Sequence, residues 1–148
     1  MTKGTFYMYN KLLIAIDLSN LDSAKYVVET CLKLTENNPD AVYRVVTILE
    51  PMDDSFISAF LPKNFDKSLI EEANRMLHDF TKATFPENAK VQHIVAHGTI
   101  YEEINRLAEE KSVDLIVMLA SSEPHAKGLS SNTVKVARNC NKPILVLR

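Results

Sequence analysis

Glycine is scarce in this chain: Gly4, Gly98 and Gly128 are the only three among 148 residues. No G-x-x-x-x-G-K-[ST] or G-x-G-x-x-G run can be assembled from them, so the usual main-chain cradles for phosphate are absent. Cysteine is scarcer still. Cys31 and Cys140 lie far apart, with no C-x-x-C pair and no histidine at zinc spacing, so they read as reduced core thiols in a reducing compartment. The sequence has no H-E-x-x-H helix and no G-x-S-x-G elbow, which removes the common metalloprotease and hydrolase signatures. Serines, Asp17 and His97 or His125 are left as the only route to hydrolysis, with nothing to present a nucleophile. A formal charge of −2 gives no global pull towards nucleic acid or an anionic membrane. No apolar run approaches the roughly 20 residues of a membrane helix, and Met1 to Met8 lack the apolar core of a signal peptide. These absences point to a cytoplasmic protein that is not an enzyme, holds no metal, and has neither nucleic acid nor membrane as a partner.

What is present is the ordinary material of a folded domain: 46% apolar and 24% charged residues. The length suits one domain, expected over residues 8–148, with residues 1–7 a poorly ordered extension. Lys11 to Asp17 is an apolar run that stops on a carboxylate, the pattern of a strand buried on both faces. Ala41 to Leu49, Val91 to Ala96, Asp114 to Met118 and Ile144 to Leu147 supply four further strands. Between them run helical stripes. Ala24, Val27, Val28, Cys31, Leu32 and Leu34 form the first, behind Asp22 or Ser23 as N-cap. Ile70, Ala73, Met76, Leu77 and Phe80 form the second, and Ile104, Leu107 and Ala108 the third. Thr99-Ile-Tyr-Glu102 has the form of a capping box that opens that third helix. Val134, Ala137 and Cys140 mark the expected buried face of the last.

Strands alternating with helices of this length require parallel pairing through right-handed crossovers, hence a three-layer α/β sandwich with about four helices. The expected sheet order is 3-2-1-4-5, which puts a ligand crevice at the carboxyl ends of strands one and four. Residues 51–64 are irregular yet carry Phe56, Ile57, Phe60 and Leu61. They read as a short helical turn packed on the body, as a cap over a site, or as a partner contact surface. Ile144, Leu145, Val146 and Leu147 are apolar on both faces and fall at a sheet edge. Such an edge calls for cover, which a second copy of the same strand would provide.

Leu13-Ile-Ala-Ile-Asp17, the Gly98-Thr99 turn before Glu102-Glu103-Ile104, Asp114-Leu-Ile-Val-Met118 and Asn139-Cys-Asn-Lys-Pro143-Ile-Leu-Val-Leu147 resemble the universal stress proteins in order and spacing. The resemblance runs over residues 8–148. It implies a Rossmann-like fold, a homodimer, and a role in stress or growth arrest. Nucleotide-binding members of the family carry Gly-x-x-Gly, nine residues, then Gly-Ser or Gly-Thr directly after the fourth strand. Here Leu119-Ala-Ser-Ser122 holds no glycine. Lys127-Gly-Leu-Ser130-Ser131 instead resembles the A type of the family, in which a polar segment with Lys-x-x-Ser-Ser replaces the glycine motif. That type is generally regarded as not binding ATP.

Two functions follow as expectations. The first is a dimeric, non-enzymatic stress-response factor without a cofactor, acting through protein contacts. The alternative is an ATP- or AMP-binding regulator that uses Asp17, Ser19, Ile48, Gly98, Met118, Ser121, Ser130 and Ser131. For Asp17 the resemblance implies a place near adenine and ribose, whereas turn chemistry implies amide bonds from the residues that follow it. For Ser130, Ser131 and Asn132 the choice lies between anion binding at a helix start and plain N-capping. Lys127 reads as a solvated loop lysine, and His93 as packed and hydrogen-bonded within its strand.

Overall fold

The computed structural model describes residues 8–50, 65–123 and 127–148. Residues 1–7, the apolar segment 51–64 and His125 lie outside the described residues. The order is β1 (Lys11–Ala15), α1 (Leu21–Leu34), β2 (Val42–Leu49), α2 (Phe65–Thr84), β3 (Lys90–His97), α3 (Ile100–Glu110), β4 (Leu115–Leu119), α4 (Ser131–Asn139) and β5 (Ile144–Leu147). All pairings are parallel and the sheet runs β3-β2-β1-β4-β5, as the alternation of strands and helices requires.

Side chains alternate across the sheet, so each strand feeds two cores. Leu12, Ile14, Val45 and Val117 pack against Val27, Val28 and Cys31 of α1 and Leu77 and Phe80 of α2. Leu13, Val46, Ile116 and Met118 pack on the other face against Ile104, Leu107 and Ala108 of α3 and Val136 of α4. Both faces of β1 and β4 are covered, which is why those strands are unbroken apolar runs. Each fully buried aliphatic side chain contributes about 1.5–3 kcal/mol. Cys31 sits in the first core, and burial pushes its thiol up to about 12, so it stays protonated and unreactive.

Several local details depart from the sequence reading. β1 ends at Ala15, leaving Asp17 in the turn that follows. Asn20, rather than Asp22 or Ser23, caps α1, its Oδ1 accepting from the Ser23 amide at 3.2 Å. Leu34 closes α1 but points outwards, 44% exposed. The capping box at Thr99 does not form: its side chain makes no cap bond, and the Tyr101 hydroxyl donates to Glu102 at 3.2 Å. The buried face of α4 is Thr133 and Val136, not Val134, Ala137 and Cys140; Ala137 is exposed. β3 runs from Lys90 to His97, one residue beyond the expected strand at each end.

The amino ends of β1 and β4 are tied by a carboxylate just before β4. The two oxygens of Asp114 lie 2.9–3.1 Å from the amides of Asn10 and Lys11, while the Asp114 amide donates to Lys11 O at 2.9 Å. Asp114→Ala leaves those two amides without their acceptor at a place water partly reaches. The expected cost is about 1 kcal/mol. In a thermal melt that is a fall of about 2–4 °C for a chain of this size.

Candidate functional site

A crevice of about 320 Å³ opens at the carboxyl ends of β1, β2 and β4, where the strand order reverses. Its floor is apolar: Ala15, Val46, Ile48 and Met118 from the strands, Ile16 just past β1, and Ile100 and Ile104 from α3. Its rim is polar, with Asp17 and Glu50 on the side of β1 and β2, and Ser122, Ser130, Asn132 and Thr133 on the side of β4 and α4. Among the described residues, carboxylates are the only ionisable groups on this wall.

Of the residues singled out in the sequence, Asp17, Ile48, Met118 and Ser130 come together here. Ser19, Gly98, Ser121 and Ser131 do not line the crevice, and each has another local setting. Ser19 donates to Asp17 through both its amide, at 2.9 Å, and its hydroxyl, at 2.6 Å, so the Asp17 carboxylate is bonded into its own turn. Ser121 Oγ accepts from the Glu123 amide at 3.1 Å. Ser131 is the exposed first residue of α4.

Gly98 turns the chain from β3 into α3 with φ at +147°, and a Cβ there would stand 3.1 Å from Glu103 Cγ. Glu103 is held by Arg106, whose hydrogen bonds keep its carboxyl below the usual range, with His97 adding to the same effect. Gly98 therefore answers to backbone geometry and packing. Lys127 is exposed and stays off the crevice wall.

The side of the crevice formed by β4 and α4 is closed by a chain of hydrogen bonds. Ala120 donates its amide to Leu147 O at 2.6 Å and accepts from the Ser130 amide at 2.7 Å. The Thr133 hydroxyl donates to Leu119 O at 3.0 Å, with Ala120 O at 3.3 Å. That commits its only proton, so the 2.8 Å contact between the Ser130 and Thr133 hydroxyls is a donation by Ser130. Ser130 Oγ in turn accepts from the Thr133 amide at 3.2 Å, the N-cap bond of α4. Thr133, at 1% exposure, is the residue that sequence reasoning missed. A threonine three positions after an N-cap serine was the available signal, but its partners on β4 are visible only in the fold.

A model of the universal stress protein family matches residues 8–148. Universal stress protein G of Shigella flexneri is 25% identical over 145 residues, 95% of this chain and 100% of its own. Universal stress protein MJ0577 of Methanocaldococcus jannaschii is 34% identical over 82 residues, 54% of this chain and 51% of its own. The solved structure of MJ0577 superposes with a TM-score of 0.79 at 25% identity, covering 95% of this chain and 96% of that one. A universal stress protein in complex with cAMP shares the fold, with a TM-score of 0.63 at 20% identity over 95% and 97% of the two chains. With the strand order, the crevice and a match over nearly the whole sequence in agreement, this chain belongs to the universal stress protein family.

Proposed function

We propose that the protein is a non-enzymatic stress-response factor that works as a homodimer through contacts with other protein chains and holds no ATP. The observation that supports this reading is the state of Ser130. Its amide is spent on Ala120 and its hydroxyl proton on Thr133, so neither is free for a phosphate. The carboxylates of Asp17 and Glu50 across the crevice add repulsion, and among the described residues no lysine or arginine on the wall offsets it. Leu119 to Ser122 also lack the glycines that would let phosphates approach the backbone.

The second reading, an ATP- or AMP-binding regulator, draws on the crevice itself. Its volume falls at the low end of the roughly 300–1,000 Å³ usual for small-ligand sites. A relative of the same fold has been solved with cAMP. One experiment separates the two. Nucleotide chromatography of the supernatant from denatured protein should find no ATP, ADP or AMP, and millimolar Mg-ATP should leave the melting temperature where it was. A ligand at 100 times its dissociation constant would add about 2.7 kcal/mol, or about 5–11 °C here. A shift of that size, or a stoichiometric nucleotide in the extract, overturns the first reading in favour of the second.

A further inference from the structure

α2 meets the edge strand β3 through two imidazoles. The rings of His78 and His93 stack with centroids 3.7 Å apart and planes inclined by 24°. His93 Nε2 lies 2.6 Å from Oγ1 of Thr81, and the Thr81 hydroxyl donates to His78 O at 3.2 Å. With that hydroxyl proton committed, the His93 Nε2–H is the donor and Nδ1 carries the lone pair of the neutral ring. Thr81 is buried, His93 half-buried and His78 exposed. The arrangement does not suit a metal. Nearly parallel rings point their lone pairs side by side instead of at one point about 2.0–2.1 Å from each, and His93 Nε2 is already taken.

Among the described residues, the surroundings hold no spare negative charge to offset a second proton. On α2, Arg75 and Lys82 fall one turn before and one turn after His78; Glu72 and Asp79, the acidic neighbours, are paired with Arg75. On β2 the residue opposite His93 is Val45, with Tyr43 and Thr47 beside it on the same face. On β3 itself Val91 and Val95 flank His93, and His97 follows further along. From α1 this core receives Val27, Val28 and the protonated thiol of Cys31.

We propose that the His78–His93 stack is an acid-sensitive latch, fastening α2 to β3 while at most one ring is charged and loosening when both are. The titration of His93 agrees in direction: burial first, and the charge of His78 second, hold its pKa below the ordinary histidine value. A lowered folded value means that the unfolded chain takes up the proton first. The stabilisation is therefore complete above about pH 6.5, the unfolded value. It is lost as pH falls from there through the depressed folded value. Such a latch would give a stress-response protein a direct answer to a fall in the surrounding pH.

Hydrogen exchange read by mass spectrometry on the full chain at pH 7.5 and 5.5, corrected for intrinsic rates, tests this. Peptides from α2 should exchange several-fold faster at pH 5.5, the direction set by the lowered His93 value, while β1 and β4 peptides keep their rates. His78→Asn removes the charge of the exposed partner ring and should leave a smaller α2 response, the part due to burial of His93. His93→Gln keeps a neutral N–H donor for Thr81 and should abolish the response; if it fails to fold, His78→Asn decides alone. An α2 response as large in His78→Asn as in the wild type, or none in the wild type, overturns the latch.

Discussion

Replacing Val146 by proline should break the proposed β5-to-β5 dimer into folded 16.7 kDa monomers. The argument starts from the ladder between β4 and β5. Ile116 donates to Pro143 O at 2.9 Å and Ala120 to Leu147 O at 2.6 Å, so the odd-numbered residues of β5 turn their peptide groups towards β4. By the alternation of a strand, Ile144 and Val146 turn theirs to the outer edge, where the described residues place no further strand. Proline at 146 deletes an outward N–H and leaves the β4 ladder whole, the position in a sheet where proline is tolerated.

In a two-fold pairing of β5 with its mate the loss occurs twice. Two ladder bonds at about 1 kcal/mol each weaken association roughly thirty-fold, before any clash of the ring with the facing strand. Light scattering at micromolar concentration should give twice 16.7 kDa for the wild type and the single-chain mass for the variant, with unchanged circular dichroism. A variant still at twice the chain mass would mean that the dimer is held elsewhere. A wild type at 16.7 kDa would sink edge pairing altogether.

The outward turn of Val146 shows where sequence reading reaches and where it stops. That β5 is an apolar edge strand follows from the alternation of elements and from four apolar residues in a row. The strand order followed as well, because parallel pairing with right-handed crossovers leaves few arrangements for such an alternation. Asp17, Ile48 and Met118 were placed in the crevice for the same reason: each stands at or just beyond the carboxyl end of a strand.

The details that depend on contacts distant in sequence were not legible. Asp114 meets Asn10 and Lys11 from the far side of the chain, and nothing around it in sequence announces them. Asn20 takes the cap of α1 because the helix begins at Leu21, two residues earlier than a cap at Asp22 would set it and three earlier than one at Ser23. In the nine-residue α4, apolar spacing was too sparse to set the phase. The bond from Thr133 to the end of β4 sets it instead, turning Val136 inwards and Ala137 out.

That bond carries the second large effect. Thr133→Val keeps the shape of the side chain and removes the hydroxyl, leaving the Leu119 carbonyl and the Ser130 hydroxyl without their partner. The site is 1% exposed, so water cannot take its place, and the cost should be about 2 kcal/mol. The melting temperature should fall by about 4–8 °C. Thr133→Ser retains the hydroxyl and should recover most of the loss. Ser130→Ala removes the cap and costs about 1 kcal/mol. If Thr133→Val melted within a degree of the wild type, the closure of β4 on α4 would carry no stability.

The same variant probes why the crevice should refuse phosphate. Without the Thr133 hydroxyl, the Ser130 proton is free to turn into the crevice, so one of the obstacles to an anion is gone. The remaining obstacles are the missing glycines between Leu119 and Ser122, the amide of Ser130 still bound to Ala120, and the carboxylates of Asp17 and Glu50. Backbone that cannot approach a phosphate is not repaired by one hydroxyl. Isothermal titration of Thr133→Val with Mg-ATP should therefore show no heat of binding. Binding that appears in Thr133→Val but not in the wild type would shift the exclusion of nucleotide from the backbone of β4 to a single hydrogen bond.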